Sequence, residues 1–134
     1  MAEGQVAQVE SFGVPVTINS GRKDDQGKCR LDLIPMDALW EVGKVYTKGA
    51  GIYGDWNWAN GLKYSRVIAA LLRHLFKWCM GETYDDKDGQ HHLTSVVWCG
   101  LSLLHFDLNQ DHFKEFDDRR AGWNWGWKNE TKGT

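Results

Sequence analysis

Arg66, Arg73 and Lys77 fall at intervals of seven and four residues. A helix through them stacks these cations along one line. Upstream, Lys28 and Arg30 add further positive charge. Such groups are charge-assisted donors for phosphate. Tyr53 and the run Trp56-Asn57-Trp58 lie between the two sets. Aromatic faces of this kind stack on bases, each stack contributing about 1–3 kcal/mol. The Asn57 amide presents the paired donor and acceptor that a purine edge requires. Both features also have plain readings: a solvent-facing helix edge, and an Ω-loop that packs its own aromatics.

A second group is richer in ligating atoms. Glu82, Asp85, Asp86 and Asp88 precede His91 and His92. Oxygen ligands beside imidazoles can hold a divalent metal. The same acids also read as a solvated loop ahead of a helix start, where negative charge is favoured. His74 shares a helical face with Val67, Ala70, Leu71 and Trp78, so its ring is expected to be partly buried and to need a hydrogen-bond partner. Its place beside Arg73 leaves a phosphate contact or acid–base work open. Nucleophilic catalysis has no support, because no Gly-x-Ser-x-Gly elbow occurs and no cysteine has a base beside it. Walker and Rossmann fingerprints are absent from the sequence, as is a Glu-x-x-Glu pair. Cys29, Cys79 and Cys99 form no CxxC pair and read as free buried thiols.

The 134 residues carry 16 basic and 18 acidic side chains, a formal charge of −2. That balance argues against a general duplex-DNA binder. No apolar run approaches the roughly 18 residues of a membrane span. The N-terminal sequence lacks the basic start and apolar stretch of a signal peptide, so a cytoplasmic setting is expected. Eight Trp residues stand out. Some of them must belong to the core, because a small domain cannot safely expose them all.

The elements that must position these groups are mostly helices. The fold class expected is mainly α: a compact bundle of about three core helices with a long Gly/Trp-rich loop and extended terminal segments. Helices are predicted over 36–48, 64–80 and 91–108. The first follows Pro35, buries Met36, Leu39, Trp40, Gly43 and Tyr46, places Lys48 near its negative end, and closes at Gly49 and Gly51. Residues 49–63 then form a loop. Ser65 is the expected N-cap of the second helix, which is apolar over most of its circumference and so should be central. The third should bury Leu93, Val96, Val97, Gly100, Leu101 and Leu104, with Ser95, Cys99 and Ser102 as a small-residue stripe beside that face. Val14, Val16 and Ile18 alternate with polar or small residues as a short extended segment, which Pro15 would keep at an edge. The chain divides into an N-terminal segment 1–27, a helical recognition domain 28–108, and a tail 109–134 carrying Trp123, Trp125 and Trp127. That tail makes a homo-oligomer plausible.

Taken in order, several of these pieces resemble a phage family, the dATP/dGTP diphosphohydrolase N-terminal domain. They are Gly27-Lys28-Cys29-Arg30-Leu31-Asp32-Leu33-Ile34-Pro35, Gly49 through Trp58, Tyr64-Ser65-Arg66, Leu72-Arg73-His74, Trp78, Gly81-Glu82 and His91-His92-Leu93. The resemblance spans roughly residues 20–108. It implies a compact helical protein that recognises purine deoxynucleotides and acts in the host cytoplasm. It also brings Asp32 and Tyr64 into the ligand-binding set with Lys28, Arg30, Tyr53, Trp56, Asn57, Trp58, Arg66, Arg73, His74 and Lys77. Two functions follow. One is a binder that sequesters a purine or cyclic nucleotide, including a host immune signal, without turnover and with no cofactor. The residue inventory favours it, being rich in donors and stacking faces. The other is a metal-dependent hydrolase releasing pyrophosphate, with His74 and Glu82 catalytic. Mg²⁺ or Mn²⁺ would then be held among Glu82, Asp85, Asp86, His91 and His92. Neither reading involves a membrane or duplex nucleic acid.

Overall fold

The structure, a computed structural model, describes residues 6–11 and 14–119, with side chains from Ser20 onward. The chain falls into two compact units, one up to Leu33 and one from Ile34. Trp123, Trp125 and Trp127 lie outside the described residues.

In the first unit, strands β1 (Val6–Ser11) and β2 (Val14–Asn19) pair antiparallel, with Val9 opposite Val16 and Ser11 opposite Val14. Pro15 stands opposite Glu10 in this two-stranded sheet. In so small a sheet both strands are edges, where proline's missing N–H is tolerated. The predicted extended segment thus has a partner, β1, which its polar residues concealed. Beyond the strands, Lys28 N–H donates to the Asp25 carbonyl at 3.2 Å, and Gly27 takes the positive φ of that turn. Residues Leu31–Leu33 form one 3-10 turn.

The second unit is helical: α1 (Met36–Tyr53), α2 (Tyr64–Cys79), α3 (His92–Leu108) and a short α4 (Gln110–Phe113). The mainly α expectation holds. Among the described residues, no helix is long and apolar enough to cross a membrane. Helix α3 packs against both α1 and α2. Tyr64 at the start of α2 stacks on Phe106 near the end of α3, while His74 meets His92 at the opposite ends. The two helices therefore run antiparallel. Tyr64, Phe106 and Phe113 make the core cluster, with Trp58, Leu62, Ile68, Leu103 and Phe116 packed around it.

Several local expectations are corrected. Helix α1 does not stop at Gly49 and Gly51 but runs to Tyr53. Glycine weakens a helix without forbidding it. Termination falls at Gly54, whose φ of 93° no L-residue adopts easily and whose N–H still reaches the Ala50 carbonyl. Residues 49–63 are therefore not one loop, and Asn57–Asn60 adds a 3-10 turn.

The buried face of α1 is Val42, flanked by half-buried Val45 and Tyr46, whereas Met36, Leu39 and Trp40 are exposed. On α3 the small-residue stripe is the more deeply buried one, and Leu93, Val96 and Gly100 are half-buried. Ser95, Cys99 and Ser102 are buried, and Val97, Leu101 and Leu104 are exposed. A helix flanked on two sides needs small residues where backbones approach. The Ser102 hydroxyl also has a buried use, pairing with the Tyr46 hydroxyl at 3.2 Å. Helix α2 is likewise less enclosed than expected, with Phe76 and Trp78 exposed.

Ser65 is not the N-cap of α2. The helix starts at Tyr64, and Asp118 supplies the missing acceptor by taking the Ser65 N–H at 2.8 Å and the Ser65 hydroxyl. The residues after Phe116 thus belong to the helical unit. There Arg119 forks onto Asp117 at 2.8 Å through two nitrogens and lies over the Tyr64 ring.

Candidate functional site

Helices α1, α2 and α3 enclose a cavity of about 990 Å³, open to solvent. The C-terminal half of α1 supplies one wall, and the turn after Gly54 supplies the aromatic rim. Tyr53 and Trp56 there are exposed, and both line the cavity with Asn57. Trp56 holds an unusual backbone, with φ of 63°. Trp58 is half-buried, edge-on to His105 at 5.1 Å and to Tyr46 at 5.8 Å. One Trp of the Trp-Asn-Trp run therefore anchors the turn and the other faces the opening.

Arg66, Ala70 and His74 line the cavity from α2, one turn after another. Arg73 is exposed and Lys77 half-buried, and neither is part of the cavity wall. The predicted line of cations thus divides, because α2 turns only Arg66 toward the opening. Lys48 and Asp88 face each other from α1 and the 80–91 loop at 3.9 Å, and both line the cavity. Lys48 was expected near the end of α1. The helix runs on to Tyr53, so Lys48 lies inside it, and its side chain lines the cavity. Gln90, Ser95, Trp98 and Cys99 also line the wall. Ser95 and Cys99 were visible in the sequence only as part of the small-residue stripe, and Gln90 and Trp98 gave no signal there. Burial pushes the Cys99 thiol up to about 11, which leaves it a packed, unreactive group.

His74 connects the cavity to a polar cluster. Its Nδ1 lies 2.9 Å from Nδ1 of His92. His92 is fully buried, and its Nε2 is 2.8 Å from Glu82 Oε1. Asp85 Oδ2 stands 3.9 Å from His74 Nδ1. The loop that carries Asp85 is held by a bridge between Tyr84 and His91 and by the Asp85 N–H donating to the Gln90 carbonyl at 2.8 Å. Burial, and then the neighbouring His92, lower the His74 pKa, while Asp85 pulls the other way. The backbone N–H of Lys87 holds the Asp85 carboxyl below the usual carboxylate range.

Among the described residues, two sets of three could hold a metal: His74, Asp85 and His92, or Glu82, Asp85 and Asp86. In each, the ligand atoms lie within 4.8 Å of one another. His91 joins neither. Its Nδ1 accepts the Leu93 N–H at 3.0 Å, capping α3, and its ring packs edge-on to Tyr84. His74 takes the place the sequence reading gave to His91. Helical phase showed that His74 was partly buried. That it meets His92 depends on the packing of α2 on α3.

The other expected binding residues are placed as follows. Tyr64 is 2% exposed in the aromatic core, with its hydroxyl donating to Gln110. Lys28, Arg30 and Asp32 belong to the first unit, where they line a separate shallow recess. There the Arg30 guanidinium grips Asp32 at 2.7 and 2.8 Å and holds its carboxyl below the usual range.

A mainly helical chain with these sequence pieces belongs to the family described as dATP/dGTP diphosphohydrolase, N-terminal, whose profile matches residues 18–119. A dATP/dGTP diphosphohydrolase of Salmonella phage PMBT28 is 37% identical over 101 residues, which are 75% of this chain and 33% of that protein. The chain therefore spans about a third of the length of this curated relative. No solved structure matches it.

Proposed function

We propose that the helical unit binds a purine nucleotide in the cavity between α1, α2 and α3. The base stacks at Tyr53 and Trp56 beside the Asn57 amide, and the phosphates meet Lys48 and Arg66. The carrying observation is that a single cavity gathers stacking faces, an amide and two cations. Phosphate recognition needs charge-assisted donors, and base recognition needs a π-face, so the combination is more telling than either part. The names of the family and of the phage relative support a purine deoxynucleotide. In its simplest form the activity is retention of the intact nucleotide in a host cytoplasm, with a cyclic nucleotide signal as one ligand class. Calorimetric titration with purine and pyrimidine deoxynucleotides and cyclic dinucleotides tests this. Binding of purine ligands with intact ligand recovered after denaturation supports retention, and no heat from any ligand sinks it.

Hydrolysis to release pyrophosphate is the second reading. It is favoured by His74, which lines the cavity and also belongs to the cluster with His92 and Asp85. New products in the same titrations, seen only with added Mn²⁺ or Mg²⁺, decide for it.

A further inference from the structure

We propose that His74, His92 and Asp85 form a binding site for a single divalent transition-metal ion, with Glu82 as the residue that orients His92. This deepens the hydrolytic reading but stands on the cluster alone and needs no nucleotide.

The first argument is directional. A carboxylate only accepts hydrogen bonds, so the 2.8 Å contact to Glu82 places a proton on His92 Nε2. The other ring nitrogen of His92, Nδ1, is left facing Nδ1 of His74, 2.9 Å away. Two imidazole nitrogens this close share either a proton carried by one ring or a cation bound to both. The carboxylate–histidine pair is the arrangement that fixes ring orientation and raises basicity in metal sites.

The second argument is the third ligand. Asp85 uses Oδ1 to accept the Lys87 N–H at 2.9 Å, which turns Oδ2 toward His74. Its side chain is only 11% exposed, unusually low for an aspartate on a loop.

The third argument is the kind of ion. Metal–nitrogen bonds to histidine are about 2.0–2.1 Å long, so nitrogens 2.9 Å apart subtend about 90° at the metal, as neighbouring ligands of a six-coordinate ion do. Two imidazoles with one carboxylate suit the manganese-to-zinc series. Mg²⁺ and Ca²⁺ prefer oxygen alone. His92 is sealed at 0% exposure and His74 faces the cavity. Three protein ligands leave coordination positions for solvent or ligand oxygen.

The test uses the full chain stripped with chelator, then titrated with Co²⁺ alone and followed by visible absorption and calorimetry. One Co²⁺ per chain, with weak d–d bands of six-coordinate cobalt and a raised melting temperature, is expected. A large excess of Mg²⁺ should not displace it. His74→Gln and Asp85→Asn, checked by circular dichroism for folding, should each weaken Co²⁺ binding by at least tenfold. Glu82→Gln should weaken it by about 10–100-fold, since it acts through His92. Absence of d–d bands at millimolar Co²⁺ overturns the site, as does Co²⁺ binding unchanged in both folded ligand variants. No nucleotide is present, so this failure is distinct from failure of nucleotide binding, which is measured on the stripped protein.

Discussion

The ring of Phe116 occupies the space into which any side chain at Gly61 would project. Gly61 also has φ of 99°, which L-residues rarely adopt. The turn that ends the Trp-rich segment and the segment that follows α4 are thus fitted to each other. Gly61→Ala should lower stability by about 2–4 kcal/mol, from backbone strain together with overpacking. Chemical denaturation checks this. Adding Phe116→Ala should restore part of the loss. Full additivity of the two losses would mean that the ring is not the obstacle.

Trp56 and Trp58 should separate cleanly. Trp58 packs on Tyr46, His105 and Phe106. Trp58→Ala is expected to cost about 2–4 kcal/mol of stability, somewhat below a fully buried aromatic. Trp56 is 72% exposed at the cavity rim. Trp56→Ala should leave the melting temperature nearly unchanged and weaken nucleotide binding by about 1–3 kcal/mol. Asn57→Ala should narrow the preference between purine and pyrimidine ligands without abolishing phosphate binding. Equal destabilisation by both Trp substitutions, with ligand preference intact, would make the turn scaffold only.

Arg66 and Arg73 share a helix but not a surface. Only Arg66 lines the cavity. Arg66→Ala should weaken nucleotide binding roughly ten- to a hundred-fold, the loss of one charged hydrogen bond. Arg73→Ala should have a much smaller effect. Titration calorimetry on both variants reads the contrast, and the reverse order would move the phosphate site off the cavity.

The cap on α2 gives a pH dependence. The hydroxyl and N–H of Ser65 hold the Asp118 carboxyl below its usual range. A carboxylate with a depressed folded pKa contributes stability above its unfolded value of about 3.9 and loses it as pH falls through the folded value. Asp118→Ala should therefore melt earlier than the parent at neutral pH. The gap should close as pH falls through the folded value of Asp118, which lies below the unfolded one. Melting curves across roughly pH 2–7 test the sign; a gap that widens in acid contradicts it.

Thiol labelling tests the packing of α3. Cys29 and Cys79 are exposed, against the expectation of buried thiols, and Cys99 is buried with its pKa pushed up to about 11. The native chain should react at Cys29 and Cys79 within minutes, and at Cys99 only after denaturant is added. Rapid labelling of Cys99 in the native state would mean that α1 and α2 do not cover this face.

Periodicity alone located the three long helices. Their apolar repeats extend over several turns, and the signal is local to each segment. It also showed that His74 lies on the inner side of α2, while Gly and Asn content placed Trp56, Asn57 and Trp58 in a turn-rich segment. What periodicity cannot contain is which neighbour a face meets. Leu101 and Leu104 read as core because they are apolar, yet Ser95, Cys99 and Ser102 are buried. Helix α3 lies between two others, and close approach selects small side chains over large ones. Gly49 and Gly51 read as stops because glycine weakens helices, yet the chain continues to Gly54, where a positive φ ends it. The cap at Ser65 comes from Asp118, 53 residues away. His74 and His92 are 18 residues apart and meet only because α2 and α3 run antiparallel in one register. Sequence thus determined the elements and the chemical inventory, through interactions within a few residues. Tertiary packing decided which members of that inventory share a site, because distance in space between helices is set by the contacts of the whole unit.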